Sequence, residues 1–114
     1  MIARLWLARV DHARRAEYEE FVLQKSMPMF RALPGCLAAL FVSDAGRLGA
    51  LTIWRDQECV DAFSGSAFYR DTVRQLDESG VILAAPELDL FVTLPGCFVT
   101  GEFVDRLVEP STLT

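Results

Sequence analysis

A small set of residues in this 114-residue chain is equipped for chemistry. His12 is the single histidine, and imidazole is the side chain best suited to take a proton near neutral pH. It follows Asp11 where a strand gives way to a helix, so a solvated histidine is the plainer alternative. Tyr69 and Arg70 sit together at the start of a later helix. An arginine can hold a phenolate or enolate through charge-assisted hydrogen bonds, and a neighbouring tyrosine can orient the same oxygen. A surface Arg70 paired with Asp71 is the competing reading. Trp54 closes an apolar strand; its indole can wall a pocket and donate its N–H to a substrate oxygen, or pack in the core with that N–H on a backbone carbonyl. Phe63 and Val73 read as apolar pocket lining or as core. Arg4 interrupts an otherwise apolar strand, and a buried guanidinium calls for a carboxylate, which Asp89 or Glu87 would supply.

Several chemistries are excluded by what the chain lacks. Cys36, Cys59 and Cys97 are far apart with no C-x-x-C pair, and one histidine cannot complete a zinc or two-histidine iron site. No metal and no cofactor are therefore expected. The cysteines read as small apolar residues in a reducing, cytoplasmic setting, and their odd number leaves no complete disulfide framework. Ser64-Gly65-Ser66 is not a nucleophile elbow, and Ala45-Gly46-Arg47-Leu48-Gly49 is neither a phosphate loop nor a dinucleotide fingerprint. A formal charge of −5 argues against nucleic acid, because phosphate binding needs a basic patch. No run of about 18 apolar residues is present to span a membrane. Met1–Val10 carries Arg4 and Arg9 and does not read as a secretory signal.

The elements that must position these residues follow from pattern. Ile2 to Val10 is a strand, and Asp11 caps a helical stretch reaching about Ala32, with Tyr18, Phe21, Val22, Lys25 and Met29 on one stripe. Pro28 must kink that stretch or end it and begin a second turn, since it has no amide hydrogen. Leu33-Pro34-Gly35 turns the chain into an apolar strand, Cys36 to Ser43. Asp44 to Arg47 connects it to a second, Leu48 to Trp54, as an antiparallel hairpin. Asp56 and Ser66 cap two further helices, the last stopping at Ser79-Gly80. Glu87 to Leu94 is a fourth strand, and Phe98 to Val104 is expected to add a fifth.

The order strand-helix-strand, strand-helix-strand is the ferredoxin-like split βαβ arrangement, an α+β fold with its helices on one face of an antiparallel sheet. Leu37 to Val42 and Leu48 to Trp54 carry almost no charge on either set of alternate side chains. Two helices cover one face only, so a second copy of the chain is expected on the other, as a homodimer. If Leu5 and Leu7 face the helices, Trp6 faces that partner. Residues 1–94 form the domain, and 95–114 form an extension, a strand plus tail contacting the partner subunit.

In Leu51-Thr52-Ile53-Trp54-Arg55-Asp56, followed by Ser64, Ser66, Phe68-Tyr69-Arg70 and Leu76, the chain resembles the antibiotic biosynthesis monooxygenase domain, of the dimeric α+β barrel superfamily. The Leu33-Pro34-Gly35-Cys36 turn also fits, and the resemblance covers roughly Met1 to Leu94. It implies a homodimeric barrel and, in some members, cofactor-free oxygenation. There an electron-rich phenol, hydroquinone or anthrone loses a proton in an apolar pocket and its anion reduces dioxygen directly. Other members bind and degrade haem through an Asn on the first strand and a Trp and a His on later helices. This chain has no asparagine, and alignment on Trp54 puts Phe63 and Val73 where that Trp and His would stand, so the haem route is not expected.

The resemblance implies a monooxygenase of an aromatic polyketide or quinol-type substrate. Trp54, Tyr69 and His12 are then its catalytic candidates, and Arg70, Phe63, Val73 and Leu5 its substrate contacts. A non-catalytic dimeric module that binds a small ligand on the same barrel is the alternative. Isomerisation of an unsaturated lactone by a related barrel is a third.

Overall fold

The computed structural model describes residues 1–93, 96 and 98–101. Strand β1 (Ile2–Arg9) runs into a short 3-10 turn (His12–Arg14), then α1 (Arg15–Phe21), a π-helical turn (Val22–Ser26) and α2 (Met27–Arg31). Strands β2 (Cys36–Asp44) and β3 (Arg47–Trp54) form a hairpin, followed by α3 (Gln57–Ser64), α4 (Ala67–Glu78) and β4 (Glu87–Val92). The sheet order is β2-β3-β1-β4, with every neighbouring pair antiparallel. This is the expected ferredoxin-like order, in which the first strand lies between the third and the fourth.

Local chemistry accounts for the boundaries. Asp56 and Ser66 accept hydrogen bonds from the amides of Cys59 and Tyr69, satisfying helix-start donors that would otherwise be orphaned. The β2–β3 turn is tight because Ala45 and Gly46 both take positive φ, 42° and 89°, the twist that a two-residue hairpin requires. Pro28 falls in the first turn of α2, where a missing amide hydrogen costs least. The preceding turn relaxes to π geometry, and the Met27 amide reaches back five residues to the Val22 carbonyl.

Side-chain alternation sorts each strand into two sets. On β1, Arg4 and Trp6 line a cavity with residues of α1, α2 and α4. Their register partners Thr52 and Ala50 on β3, and Leu90 and Leu88 on β4, share that face. Ala3, Leu5 and Leu7 belong to the opposite face, with Ile53, Leu51 and Gly49 across from them. The expected orientation of Trp6 is therefore reversed: it lies on the helix side, packed beside Tyr18, Val22 and Leu76. Both sets on this strand are apolar apart from Arg4 in one and the terminal Arg9 in the other, so alternation alone could not say which one the helices cover.

Two contiguous cores fill the helix side. One gathers Ile2, Met29, Phe30, Ala50, Trp54, Val60 and Phe63; the other gathers Val10, Tyr18, Val22, Leu48, Leu76 and Val81. The open face carries exposed Leu40 and Phe91, with Leu5, Leu51, Ile53 and Val42 partly exposed between them. The expected fifth strand is not seen in its described part. Phe98, Val99 and Thr100 are not extended against any strand of the sheet, and the two apolar residues are exposed. Residues 102–104 of that segment lie outside the described residues. No helix among the described residues is long and apolar enough to cross a membrane.

Candidate functional site

The site is built around Arg4, in the middle of β1. Its side chain points from the sheet toward the helices and is only 2% exposed. A guanidinium keeps its charge, so burial must be offset by hydrogen bonds or by aromatic faces. Here Nη2 donates to the Tyr69 hydroxyl at 2.9 Å. The guanidinium carbon lies 5.1 Å from the Phe63 ring centre and 5.0 Å from that of Tyr69. Nε–H is buried and has no partner.

Among the described residues no carboxylate meets Arg4. Asp89 and Glu87 pair in register with Leu5 and Leu7, on the other face of the sheet. Glu87 accepts a hydrogen bond from Arg47 instead. Opposite Arg4 stand Thr52 and Leu90.

Tyr69 is brought to Arg4 by the start of α4. Ser66 accepts a hydrogen bond from the Tyr69 amide at 3.1 Å and donates to the Phe63 carbonyl at 2.7 Å, which ties α3 to α4. Phe63 is then sandwiched between Trp54 (ring centres 4.8 Å apart) and Tyr69 (4.6 Å). On the strand side, the Trp54 indole donates to the Thr52 hydroxyl at 2.8 Å, and that hydroxyl donates to the Arg4 carbonyl at 3.3 Å. The backbone and side chain of Arg4 are thus held from two directions, while part of its donor fork stays unused.

Beside this pair, the gap between β1–β3 and the helices holds a half-open cavity. About 40 Å³ of it admits the centre of a water-sized sphere. That is room for roughly three waters. Its walls are Trp6, Tyr18, Phe21, Met29, Phe30, Phe41, Val73 and Leu76, with Arg4, Tyr69, Ser26 and Thr72 as the more polar contributors. Thr72 spends its hydroxyl on the Phe68 carbonyl. Burial pushes the Tyr18 phenol up, far above the ordinary tyrosine range, so this hydroxyl remains a neutral group on the wall. Among the described residues no three His, Cys, Asp or Glu side chains gather as a metal site.

Of the residues singled out from sequence, Tyr69 and Val73 line the cavity. Trp54 is 1% exposed, and its N–H is occupied by a hydroxyl rather than by the backbone carbonyl expected of a core tryptophan. Phe63 is buried beneath Arg4 and Tyr69. Arg70 is exposed and donates to the Gly65 carbonyl, while Asp71 pairs with Arg74. His12 is exposed and borders a separate polar recess with Arg15 and Arg47 beside the β2–β3 turn. Leu5 points to the open face of the sheet. The structure thus does not bring His12, Arg70 or Leu5 to the cavity. Sequence reasoning passed over Arg4 and Trp6 as site residues. The available signal was a lone charge two positions from a tryptophan, hence on the same face.

Fold and site together define a ferredoxin-like α+β domain with an aromatic-walled cavity between sheet and helices, polar at one end. Known structures share that fold. A Caulobacter crescentus protein provisionally named an antibiotic biosynthesis monooxygenase superimposes with a TM-score of 0.70 at 17% identity, over 82% of this chain and 89% of its own. A Deinococcus radiodurans protein with the same provisional name gives 0.73 at 12% identity, over 89% of this chain and 100% of its own. A monooxygenase of Streptomyces coelicolor, solved in complex with nanaomycin D, gives 0.64 at 13% identity, over 87% and 92%. No protein-family model and no curated protein matches the sequence. The chain has the fold of the antibiotic biosynthesis monooxygenase proteins.

Proposed function

We propose that the protein is a cofactor-independent monooxygenase that oxidises an aromatic polyketide or quinol-type substrate with dioxygen. The observation that carries this reading is the cavity, with its aromatic walls and the Tyr69 hydroxyl and Arg4 guanidinium converging at one end. Apolar walls suit both a flat substrate and dioxygen, and they displace part of the water that would otherwise solvate a substrate anion. Binding in one orientation supplies the remaining advantage.

In the reaction, the substrate hydroxyl or activated methylene loses a proton. The anion gives electrons to dioxygen, and a carbon–oxygen bond forms as a hydroperoxide. Loss of water from the hydroperoxide leaves a carbonyl. No carboxylate or imidazole lines the cavity among the described residues. The contribution of Arg4 and Tyr69 is therefore to hold the ionising oxygen and make its proton easier to lose to solvent. The cavity by itself is smaller than a quinol ring, so the ring would also occupy the exposed helix-side surface of β4, where Leu88 and Leu90 continue the row from Trp6 and Arg4.

The same reading includes a homodimer formed through the open sheet face, a small aromatic ligand, and neither nucleic acid nor membrane as partner. It also places the protein in the cytoplasm and assigns the chain beyond residue 94 to the partner contact. The test is oxygen uptake by chelator-treated protein offered an anthrone and several hydroquinones, with a boiled control. Uptake above the control, insensitive to chelator and reduced in Tyr69→Phe, is the expected result. Binding of these compounds without uptake would move the assignment to the non-catalytic ligand-binding module.

A further inference from the structure

We infer that Arg4 makes the cavity a receptor for an aromatic oxyanion, so that the ligand carries an ionised carboxylate or phenolate on a planar ring. This rests on the proposed function only in placing the ligand in the same cavity. Arg4 is a charge without a counter-charge among the described residues. Arg4 is nearly fully buried, and Tyr69 is the sole hydrogen-bond partner of its guanidinium among the described residues. Nε–H is buried with none at all. A buried guanidinium in a structural role is normally matched to a carboxylate. Here the two carboxylates of the neighbouring strand lie on the opposite face, and one is committed to Arg47.

Aromatic faces relieve part of the cost. They leave an unspent planar fork whose geometry matches two oxygens of an anion. Tyr69 completes the receptor. Its hydroxyl accepts from Arg4, which leaves its own hydrogen to donate to the same ligand oxygen. The remaining walls are mostly apolar rings and aliphatic groups, with Ser26, Thr72 and the Tyr18 hydroxyl as the polar exceptions, so they favour a flat hydrocarbon body.

The test uses two redox-inert ligands of equal shape, benzoate and benzamide, followed by tryptophan fluorescence, since Trp6 is part of the wall. 4-Nitrophenol, held below its own pKa, adds an absorbance readout that separates a phenolate from a carboxylate source. The wild-type protein is expected to bind benzoate at least about tenfold more tightly than benzamide, and to shift bound nitrophenol toward its phenolate colour. A colour shift without a benzoate preference would narrow the class to phenolates, and the converse to carboxylates.

Arg4→Met keeps the length of the side chain without the charge. It should bring benzoate and benzamide to within about twofold of each other and abolish the colour shift, while its ligand-free melting temperature equals or exceeds that of the wild type. A guanidinium serving only the fold would give the opposite thermal result. Should Arg4→Met fail to fold, Arg4→Lys decides, because an ammonium lacks the fork and must lower the benzoate preference. Preference and colour shift both unchanged in the variant that folds, or no binding of either anion at millimolar concentration, would overturn the assignment. Oxygen uptake absent while the benzoate preference persists would remove the oxygenase reading and leave this one standing.

Discussion

Arg4 and Tyr69 are coupled through a charge-assisted hydrogen bond, and deleting the tyrosine hydroxyl strands the buried guanidinium. Tyr69→Phe is expected to cost roughly 1–3 kcal/mol, read as a fall in melting temperature. In an Arg4→Met background the same change should cost close to nothing, so a double-mutant cycle isolates the pair; equal costs in both backgrounds would show the two residues to be independent. Tyr18 supplies a pH signature. Burial raises its phenol in the folded state, so folded protein holds a proton that the unfolded chain releases. Stability is then fully present below the ordinary tyrosine pKa of about 10 and declines as pH rises beyond it. Urea midpoints measured from neutral pH to pH above that value should fall for the wild type and fall less for Tyr18→Phe. At this scale the sequence offered Tyr69 and Val73, and both line the cavity, because a tyrosine and an apolar partner four residues on share one helix face. It could not deliver Arg4. Whether a charge in an apolar strand meets a carboxylate depends on the parity of a strand more than eighty residues away, and β4 placed Asp89 on the wrong side.

Among the elements, the pairing of β1 with β3 is the most exacting. A Cβ added at Gly49 would lie 1.8 Å from the Trp6 carbonyl oxygen, a backbone atom that cannot move without separating the strands. Gly49→Ala is expected to destabilise by about 3 kcal/mol or more, and because Trp6 is on the cavity wall it should also alter Trp fluorescence; a melting curve like the wild type's would contradict this. Asp56 caps α3, and its carboxyl is lowered chiefly by the Cys59 amide. Its contribution is present above the ordinary carboxylate range and is lost as pH falls through the lowered value. Asp56→Asn keeps a capping oxygen, so it should preserve neutral-pH stability while flattening the acid side of the melting-temperature profile. Strand and helix positions, both caps and the hairpin were readable because periodicity and turn chemistry act over a few residues. The π turn before Pro28 was not. Pro28 announces a disturbance, but only the packing of Tyr18, Val22 and Met29 into two separate cores fixes how the helix absorbs it.

For the molecule as a whole, the open sheet face is the outstanding feature. Leu5, Leu51 and Leu40 form a cross-strand row there, and a second copy laid face to face would cover it. Light scattering should then give twice the 12.7 kDa chain mass. Leu51→Glu, in the middle of that row, should yield monomer with helical content unchanged; a wild-type monomer at micromolar concentration would sink the homodimer. The apolarity of both strand sets announced this apolar open face, and by itself the sequence determined the element order and therefore the ferredoxin-like sheet, since strand-helix-strand twice over leaves few unknotted ways to build one antiparallel layer. Tertiary structure alone decided which set of side chains the helices meet. Alternation fixes two sets without saying which is inside, and with both apolar no local preference breaks the tie. That choice turned Leu5 outward and brought Arg4 and Trp6 to the cavity, where a buried charge without a carboxylate became the most informative group in the protein.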